Sequence, residues 1–524
     1  MYEYVPLARN DESIVCQYNM ITLEELGLLK MDFLGLRNLT VLDDAVKMVR
    51  RHTPDFDLEK IPMDDPEVFR MLTEGRTSGV FQMESTGMTG VCLGLKPQSI
   101  EDITAIIALY RPGPMESIPR FVACKHDPKL VSYKHPSLEP ILRGTYGCIV
   151  YQEQVIKIFQ ELAGYSLGQA DMVRRAMSKK KAKDVERERE AFLHGDASRN
   201  IKGCVANGIP EETAQAIYDE IYDFANYAFN KAHAVSYAVV AYQTAYFKCH
   251  YTKEYMAALL TSVLDNSDKV SEYIAECRNC DIKLLPPDVN RSRDGFTVEE
   301  GGIRFGLVAI KNIGRGFIRT LVRERESNGA FRSFQDFCER MFDCGDMNKR
   351  AVENLIKAGA FDGLGAFRSQ LIQVYEKVLD AIAGSRKVNV EGQLDMFGMA
   401  GDSGGALDIP LPNIPEYSAT ERMFMEKETT GLYLSGHPMS DYRIVAQGLG
   451  ATPIHDIMAD FADEDGPTRF ADGQSVVVAG IVTASRTRTT KTNNLMAYVV
   501  VEDEAASIEL LCFSRTIDQC GSYM

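Results

Sequence analysis

A lone carboxylate, Asp32, stands inside an apolar run, Leu29-Lys-Met-Asp-Phe-Leu-Gly-Leu-Arg37. An ionised carboxylate among apolar side chains is costly unless a cation or hydrogen-bond donors offset its desolvation. Asp32 therefore reads either as a helix N-cap or ion-paired core-edge residue, or as a ligand for a divalent metal. Lys30, two residues earlier, lies on the same side if the segment is a strand. A second constellation is basic: six of the ten residues from Arg174 to Lys183 are Arg or Lys. Arg forks a phosphate with parallel N–H groups and Lys adds a point charge. Arg174, Arg175, Lys179, Lys180 and Lys181 thus suit a triphosphate or a duplex backbone, although a solvated helix face has the same composition. Phe229-Asn-Lys-Ala-His-Ala-Val-Ser-Tyr237 puts Lys231 and His233 at the mouth of an aromatic-rich helix. His233 fits a structural role as well as a functional one.

Three further motifs concern binding rather than bond-making. Ile310-Lys-Asn-Ile-Gly-Arg-Gly-Phe-Ile-Arg319 places Lys311, Gly314 and Gly316 at a turn that opens a helix. Backbone N–H groups at a helix start attract phosphate, and glycine lets the backbone come close. A degenerate second unit follows over 350–363, with Ala358-Gly-Ala-Phe-Asp-Gly363 in the hairpin position. A tandem helix-hairpin-helix grips duplex backbone without reading sequence; a plain αα-hairpin is the alternative. Gln393-Leu-Asp-Met-Phe397 (Gln393, Leu394, Asp395, Met396 and Phe397) stands alone in a linker rich in Gly, Ser and Pro, where exposed Leu, Met and Phe suit docking into a partner's pocket. A chance apolar patch is the bland reading. Arg486-Thr-Arg-Thr-Thr-Lys491 reads as a basic hairpin, with Arg486, Arg488 and Lys491 placed to touch single-stranded nucleic acid or simply to face solvent.

The elements that must carry these residues divide the chain. At 524 residues it exceeds what one core fills. The pattern predicts a multidomain α and β chain, mainly helical. Residues 1–110 open with short extended runs and then short helices, and 111–290 are strongly helical. In the latter, Val155, Ile156, Ile158, Phe159 and Leu162 form a core-facing stripe, and Ala234 to Leu260 form a buried helix pair. Two helical pairs, 303–342 and 347–383, fall in a module over 291–383. A linker covers 384–420 and a connector 421–473. From 474 to 524 the texture is β, with strands expected at 476–482, 497–501 and 507–513. The balance of 58 basic and 74 acidic residues, net −16, argues against a uniform polyanion-binding coat but leaves local basic grooves open. Twelve scattered cysteines read as reduced cytoplasmic thiols. The C-x-x-C of Cys277 and Cys280 has no second pair at zinc-ribbon distance, so it reads first as two ordinary helix cysteines. No stretch reads as a signal peptide or a membrane span.

In this order the motifs resemble the C-family replicative DNA polymerases of bacteria, the DNA polymerase III alpha subunits. Lys30-Met-Asp-Phe-Leu-Gly-Leu-Arg37 is similar to the family's late palm strand. Phe81-Gln-Met-Glu-Ser85, Arg111-Pro-Gly-Pro114 and Tyr146 to Gln154 resemble its palm–fingers blocks. Ala170 to Lys181 and Phe229 to His233 resemble its nucleotide-facing fingers, Gln393 to Phe397 its internal sliding-clamp motif, and Gly431 to Pro438 the segment before its OB-fold. The resemblance implies transfer of nucleotides from dNTPs to a primer 3′-hydroxyl on primer–template DNA, with two Mg²⁺ ions held by three aspartates, of which Asp32 is one. It implies phosphate contacts from Arg111, Arg174, Arg175, Lys179 to Lys181, Lys231 and His233, with Lys30 beside the metals. Its partners would be the beta sliding clamp, the clamp loader and a proofreading exonuclease, in the cytoplasm. Nothing in the chain matches the family's N-terminal PHP domain, its early-palm Asp-x-Asp pair or the end of its OB-fold. Asp55-Phe-Asp57 has the pair's spacing but follows Asp32, and reads as a look-alike. The expectation is an incomplete OB-fold and an isolated chain without activity. The competing reading is a non-catalytic DNA-binding and clamp-docking scaffold.

Overall fold

The computed structural model describes residues 4–10, 13–29, 31, 35–178, 182–224, 229–264, 266–342, 347–390, 409–461, 467, 469–489 and 495–523. A hairpin of β1 (Leu7–Asn10) and β2 (Ser13–Cys16) leads through α1 (Met20–Glu25) to α2 (Arg37–Val49). Short helices follow: α3 (Pro66–Thr73), α4 (Thr86–Leu95), α5 (Ile100–Leu109), α6 (Ile118–His126) and α7 (Glu139–Leu142). Next come α8 (Gln152–Ala163), α9 (Leu167–Ser178), α10 (Ala182–His194) and α11 (Glu211–Phe224). Then α12 (Lys231–His250), α13 (Thr252–Ser262) and α14 (Ser267–Asn279) complete the helical body. Their starts follow the capping chemistry of the sequence: Ser85, Ser99 and Asn230 each accept a first-turn N–H.

α12 is the spine. It carries Ala at 234, 238, 241 and 245 with Tyr242 and Phe247, all buried, and small residues let neighbouring helices approach on several sides. Its first half packs with α3 to α5 in one core, and Phe247 joins α2, α13 and α14 in the next. A third core gathers α8 to α11 around Phe159, Phe192 and Tyr218. On α8, Val155, Ile158, Phe159 and Leu162 are buried as the stripe requires, and Ile156 is partly covered. The buried pair expected at 234–260 is α12 with α13. No helix among the described residues is long and apolar enough to cross a membrane.

The 281–310 stretch differs from expectation. Beside the turn-rich break stand β3 (Leu284–Leu285), β4 (Thr297–Glu299) and β5 (Gly302–Arg304), in the order β3-β5-β4. The first helical pair therefore starts after residue 304: α15 (Arg315–Asn328) with α16 (Phe334–Phe342), followed by α17 (Lys349–Lys357) with α18 (Arg368–Val390). Strands of two or three residues give almost no periodic signal, which is why sequence patterning passed over them.

The connector comprises α19 (Ala419–Thr430), α20 (Arg443–Gly448) and α21 (Ile454–Phe461), and it ties back onto the module. Glu426, 1% exposed, accepts from Arg368 Nη2 at 3.0 Å and from the Leu434 and Ser435 N–H groups at 2.9 Å each. Arg368 also forks Asp362 and reaches the Lys357 carbonyl. Gly359, at φ 83°, leaves the space this guanidinium fills, so a Cβ there would collide with it. The chain ends in a three-stranded antiparallel meander, β6 (Ile481–Thr489), β7 (Leu495–Glu502) and β8 (Ser507–Phe513), before α22 (Ser514–Cys520). Ala497, Val499 and Val501 alternate inward on β7. The first strand thus starts later than expected, and Arg486 and Arg488 lie within β6 rather than in a turn. Each pairs across to β7, opposite Tyr498 and Met496, and the Thr-rich alternation suits a strand.

Glu426→Ala leaves two backbone N–H groups and a buried guanidinium short of an acceptor. Breaking such a pair costs roughly 3–5 kcal/mol. A drop of that size in urea unfolding is expected, and an unchanged midpoint would show that the clip contributes nothing.

Candidate nucleotide and nucleic-acid interface

The turn over residues 76–84 is held from outside, by side chains of three helices. Lys248 of α12, its side chain 1% exposed, donates to the Arg76 and Ser78 carbonyls at 3.1 and 2.7 Å and pairs with Glu276 of α14 at 2.6 Å. Thr244 of α12 accepts the Phe81 N–H at 3.1 Å. The Tyr255 hydroxyl of α13 donates to the Gly79 carbonyl at 2.6 Å, and that of Tyr273 of α14 donates to Glu84 at 2.8 Å. Gly79, at φ 71°, passes so close to Leu259 that a Cβ would lie 2.7 Å from its methyl. Each buried polar group in this brace is satisfied, which is what makes the brace stiff.

The braced turn forms one wall of a cleft of about 500 Å³. Phe81, Gln82 and Glu84 face Tyr110, Arg111, Phe229, His233 and Tyr237 across it. The Arg111 guanidinium carbon sits 3.8 Å from the centre of the Phe229 ring. Stacking holds the planar cation in place while leaving its in-plane N–H groups for an anion. Phe229 is itself fixed by a parallel bridge to Tyr151, with Gln152 N–H donating to its carbonyl at 2.8 Å. Rings continue from Phe229 through His233 to Tyr237 and Phe81, with centroid spacings of 5.5, 4.3 and 5.3 Å. His233 stands in the first turn of α12, where Asn230 Oδ1 accepts its N–H at 2.9 Å. Lys231 donates its N–H to Glu153, and its ammonium lies 5.3 Å from the Tyr151 ring centre. The positive end of α12, Arg111 and the aromatic row thus converge on one opening. Of the residues named from sequence, the structure brings Arg111 and His233 together in the cleft. The contribution of Phe81, Tyr237 and the bracing side chains was not visible, because it depends on contacts between residues about 150 or more positions apart.

The remaining site residues are placed differently. Arg174 forms an ion pair with Asp171 one helical turn earlier, at 2.9 Å. Arg175 lies on α9, but its side chain is outside the described residues, as are Lys179, Lys180 and Lys181. Lys30 and Asp32 also lie outside them, so the metal reading of Asp32 rests on the sequence alone. Among the described residues no group of three His, Cys, Asp or Glu could hold a metal ion. Asp57 accepts the Glu59 N–H and pairs with Lys60, the work of a cap, which fits its reading as a look-alike. Cys277 and Cys280 are free thiols at the end of α14, and burial pushes Cys277 up to about 12.

On the helix-hairpin-helix module, Gly314 caps α15, and Gly316 lies in its first turn. A Cβ on Gly314 would meet nothing within 4 Å among the described residues, which leaves room beside it for a ligand. Lys311 instead turns toward the connector: its ammonium donates to the Glu428 carbonyl at 2.9 Å and its N–H to Thr429. The second hairpin is filled by Arg368. The structure adds Arg315, Arg319 and Arg323, exposed at four-residue intervals along α15 and without a carboxylate partner among the described residues. Their helical spacing was readable in the sequence once the helix start was fixed. Arg486 on β6 pairs with Glu509 at 2.9 Å and lies over Tyr498, and Arg488 is exposed. Lys491 and the segment Gln393 to Phe397 fall outside the described residues.

Comparison with known proteins gives this arrangement a class. The model of the bacterial DNA polymerase III alpha subunit finger domain matches residues 38–200, and a helix-hairpin-helix motif matches 281–371. The chain is 41% identical to the DNA polymerase III subunit alpha of Deinococcus radiodurans, over 98% of the chain and 39% of the relative. For the subunit of Thermus aquaticus the values are 41%, 98% and 41%, and for that of Borreliella burgdorferi 38%, 100% and 44%. The chain thus carries a finger domain of the bacterial DNA polymerase III alpha type and a helix-hairpin-helix motif, and it is homologous to those subunits along nearly its whole length. It spans about two fifths of the length of the relatives it matches.

If α15 grips duplex backbone, replacing Arg315, Arg319 and Arg323 together by Ala is expected to flatten the salt dependence of DNA binding. The log–log slope should fall by roughly 0.9 per phosphate contact removed. A slope identical to that of the unmodified protein would place the backbone contacts elsewhere.

Proposed function

We propose that the chain is part of a template-dependent replicative DNA polymerase, and that the cleft between the braced turn and the N-terminus of α12 receives the incoming dNTP. The observation that carries this reading is Arg111, which lies within the stretch that matches the finger domain, stacked on Phe229 just before the positive end of α12. The anionic triphosphate meets a fixed guanidinium there, and the aromatic row offers apolar surface to the rest of the nucleotide. Arg174 and Arg175 of α9, together with Lys179 to Lys181, would extend the phosphate contacts. The α15 N-terminus and its arginine face would hold the duplex backbone without reading its sequence.

A two-ion mechanism asks for several carboxylates at one point. The described residues do not supply them: Glu84, the carboxylate in the cleft, already accepts from Tyr273 and Gly79 and faces Lys269. Asp32 would contribute one ligand to a Mg²⁺ site completed by residues beyond those described. This chain's described residues bind and orient; they do not by themselves assemble the metals. The domain reading follows, with late palm before residue 110, fingers to 290, the helix-hairpin-helix module to 383 and, from 474, part of an OB-fold built on the β6–β8 meander. Gln393 to Phe397 would dock on the beta sliding clamp, and the clamp loader and a proofreading exonuclease would be further partners in the cytoplasm. A non-catalytic scaffold is the second reading, favoured by the open Gly314 and the α15 arginines, which need no chemistry to hold DNA.

In the full-length protein, Asp32→Ala is expected to lower primer extension by a factor of roughly a hundred or more, the several kcal/mol a metal site supplies, with DNA binding intact. Near-normal extension would remove Asp32 from the metal site, and a full-length protein that binds DNA but never extends a primer would favour the scaffold. Phe397→Ala is expected to weaken binding to an immobilised sliding clamp by about thirtyfold or more, as loss of an aromatic anchor does. Unchanged affinity would place the clamp contact elsewhere.

A further inference from the structure

Six described residues other than glycine have a left-handed backbone. Four of them end helices, where that conformation is the common terminator: Lys96, Tyr146, Asn200 and Asp281. Asn312 lies in the hairpin before α15 and is of a type that tolerates it. Gln82, at φ 63°, has neither excuse. It ends no helix, its side chain is long, and glycine would adopt the same turn without strain. Non-glycine residues persist in this region only where the surroundings over-determine them, and such residues concentrate at binding sites. The surroundings do so here, through the ties from Lys248, Thr244, Tyr255 and Tyr273 on either side of Gln82.

The location is as telling as the strain. Gln82 lines the cleft of about 500 Å³ and also the adjoining one of about 240 Å³ that contains Arg37, Asn38 and Lys269. It stands on the ridge the two share. Its side chain is exposed, and its amide has no hydrogen-bond partner among the described residues. Around it, Glu84, Thr244 and Tyr273 are all engaged with one another or with backbone. An amide offers two N–H donors and one acceptor. In a correctly formed base pair the minor-groove edge presents an acceptor, purine N3 or pyrimidine O2, at a nearly invariant position. A mispair displaces it.

We infer that Gln82 is a specificity-determining residue, whose amide hydrogen-bonds the minor-groove edge of the base pair formed by the incoming nucleotide. The strained turn fixes the direction in which the Gln82 side chain leaves the backbone, so the amide reaches the cleft from a set point. A correct pair satisfies it, whereas a displaced one leaves a donor unpaired in a cleft from which the substrate has excluded water, a selective penalty. This deepens the polymerase reading above and rests on it.

The test uses the full-length protein and compares Gln82→Gly and Gln82→Ala with the unmodified enzyme. Glycine keeps the turn and removes the amide; alanine removes the amide and keeps the strain. Gln82→Gly is expected to melt no lower than the unmodified protein and to bind primer–template equally well. Its ratio of correct to mismatched kcat/KM should fall by about tenfold, the scale of one selective hydrogen bond. Gln82→Ala should lose discrimination to the same degree. If the unmodified enzyme extends primers and Gln82→Gly discriminates as well as it does, Gln82 is only a turn residue and the inference falls while the polymerase reading stands. If the unmodified full-length protein extends no primer, both fall together.

Discussion

One buried ammonium organises the site. Lys248 lies within α12, removed from water, and it is tolerable there because two carbonyls of the 76–78 segment and the Glu276 carboxylate replace its hydration. The same three bonds join α12, the turn and α14. Without them the turn over 76–84 would hang on α12 through Thr244 and the Phe81–Tyr237 ring contact alone, and the width of the cleft between the two would be less closely set. The tyrosine hydroxyls of α13 and α14 repeat the arrangement, each using an apolar ring to reach into the core and a polar tip to take up a backbone or carboxylate group.

From that brace the functional surface follows by geometry. α12 starts where its cap Asn230 places it, so Phe229 lands beside Tyr151 and under Arg111, and His233 and Tyr237 line up one helical turn apart. A cation held by stacking, a helix N-terminus and a row of rings all face the turn that Lys248 positions. The module beyond residue 300 uses a different logic. There the connector helix α19 takes up the lysine and arginine of both hairpin units, through Glu426, the Glu428 carbonyl and Thr429, and leaves the α15 arginines as the cationic face turned outward. An acidic chain can thus present basic surface where a polyanion would need it.

The long helices were legible in the sequence because burial imposes a period: the stripe on α8 and the continuous apolar character of α12 and α13 could have had few other solutions. The motifs that place Arg111 and His233 in one site were legible as a resemblance, and the similarity to the polymerase subunits along nearly the whole chain supports that resemblance. What the sequence did not show is non-local. Nothing near Lys248 announces that it will reach residues 76 and 78, and nothing near Gln82 announces a left-handed turn. The β3–β5 sheet was missed because its strands are two or three residues long. The start of β6 was misplaced because Val476 to Val478 are as β-prone as the Thr-rich run that follows, and only pairing with β7 chooses between them.

The central claim is that the braced turn and the mouth of α12 form one nucleotide-binding unit, already rigid before substrate arrives. Hydrogen–deuterium exchange on the full-length protein, free and then with primer–template and the matching dNTP, addresses it directly. The account predicts slow exchange at Gly79, Phe81 and Met83 in the free protein, and added protection confined to segments 78–84, 107–111 and 229–237 when nucleotide binds. Fast exchange of the turn in the free protein, or nucleotide-dependent protection that bypasses these segments, would contradict it.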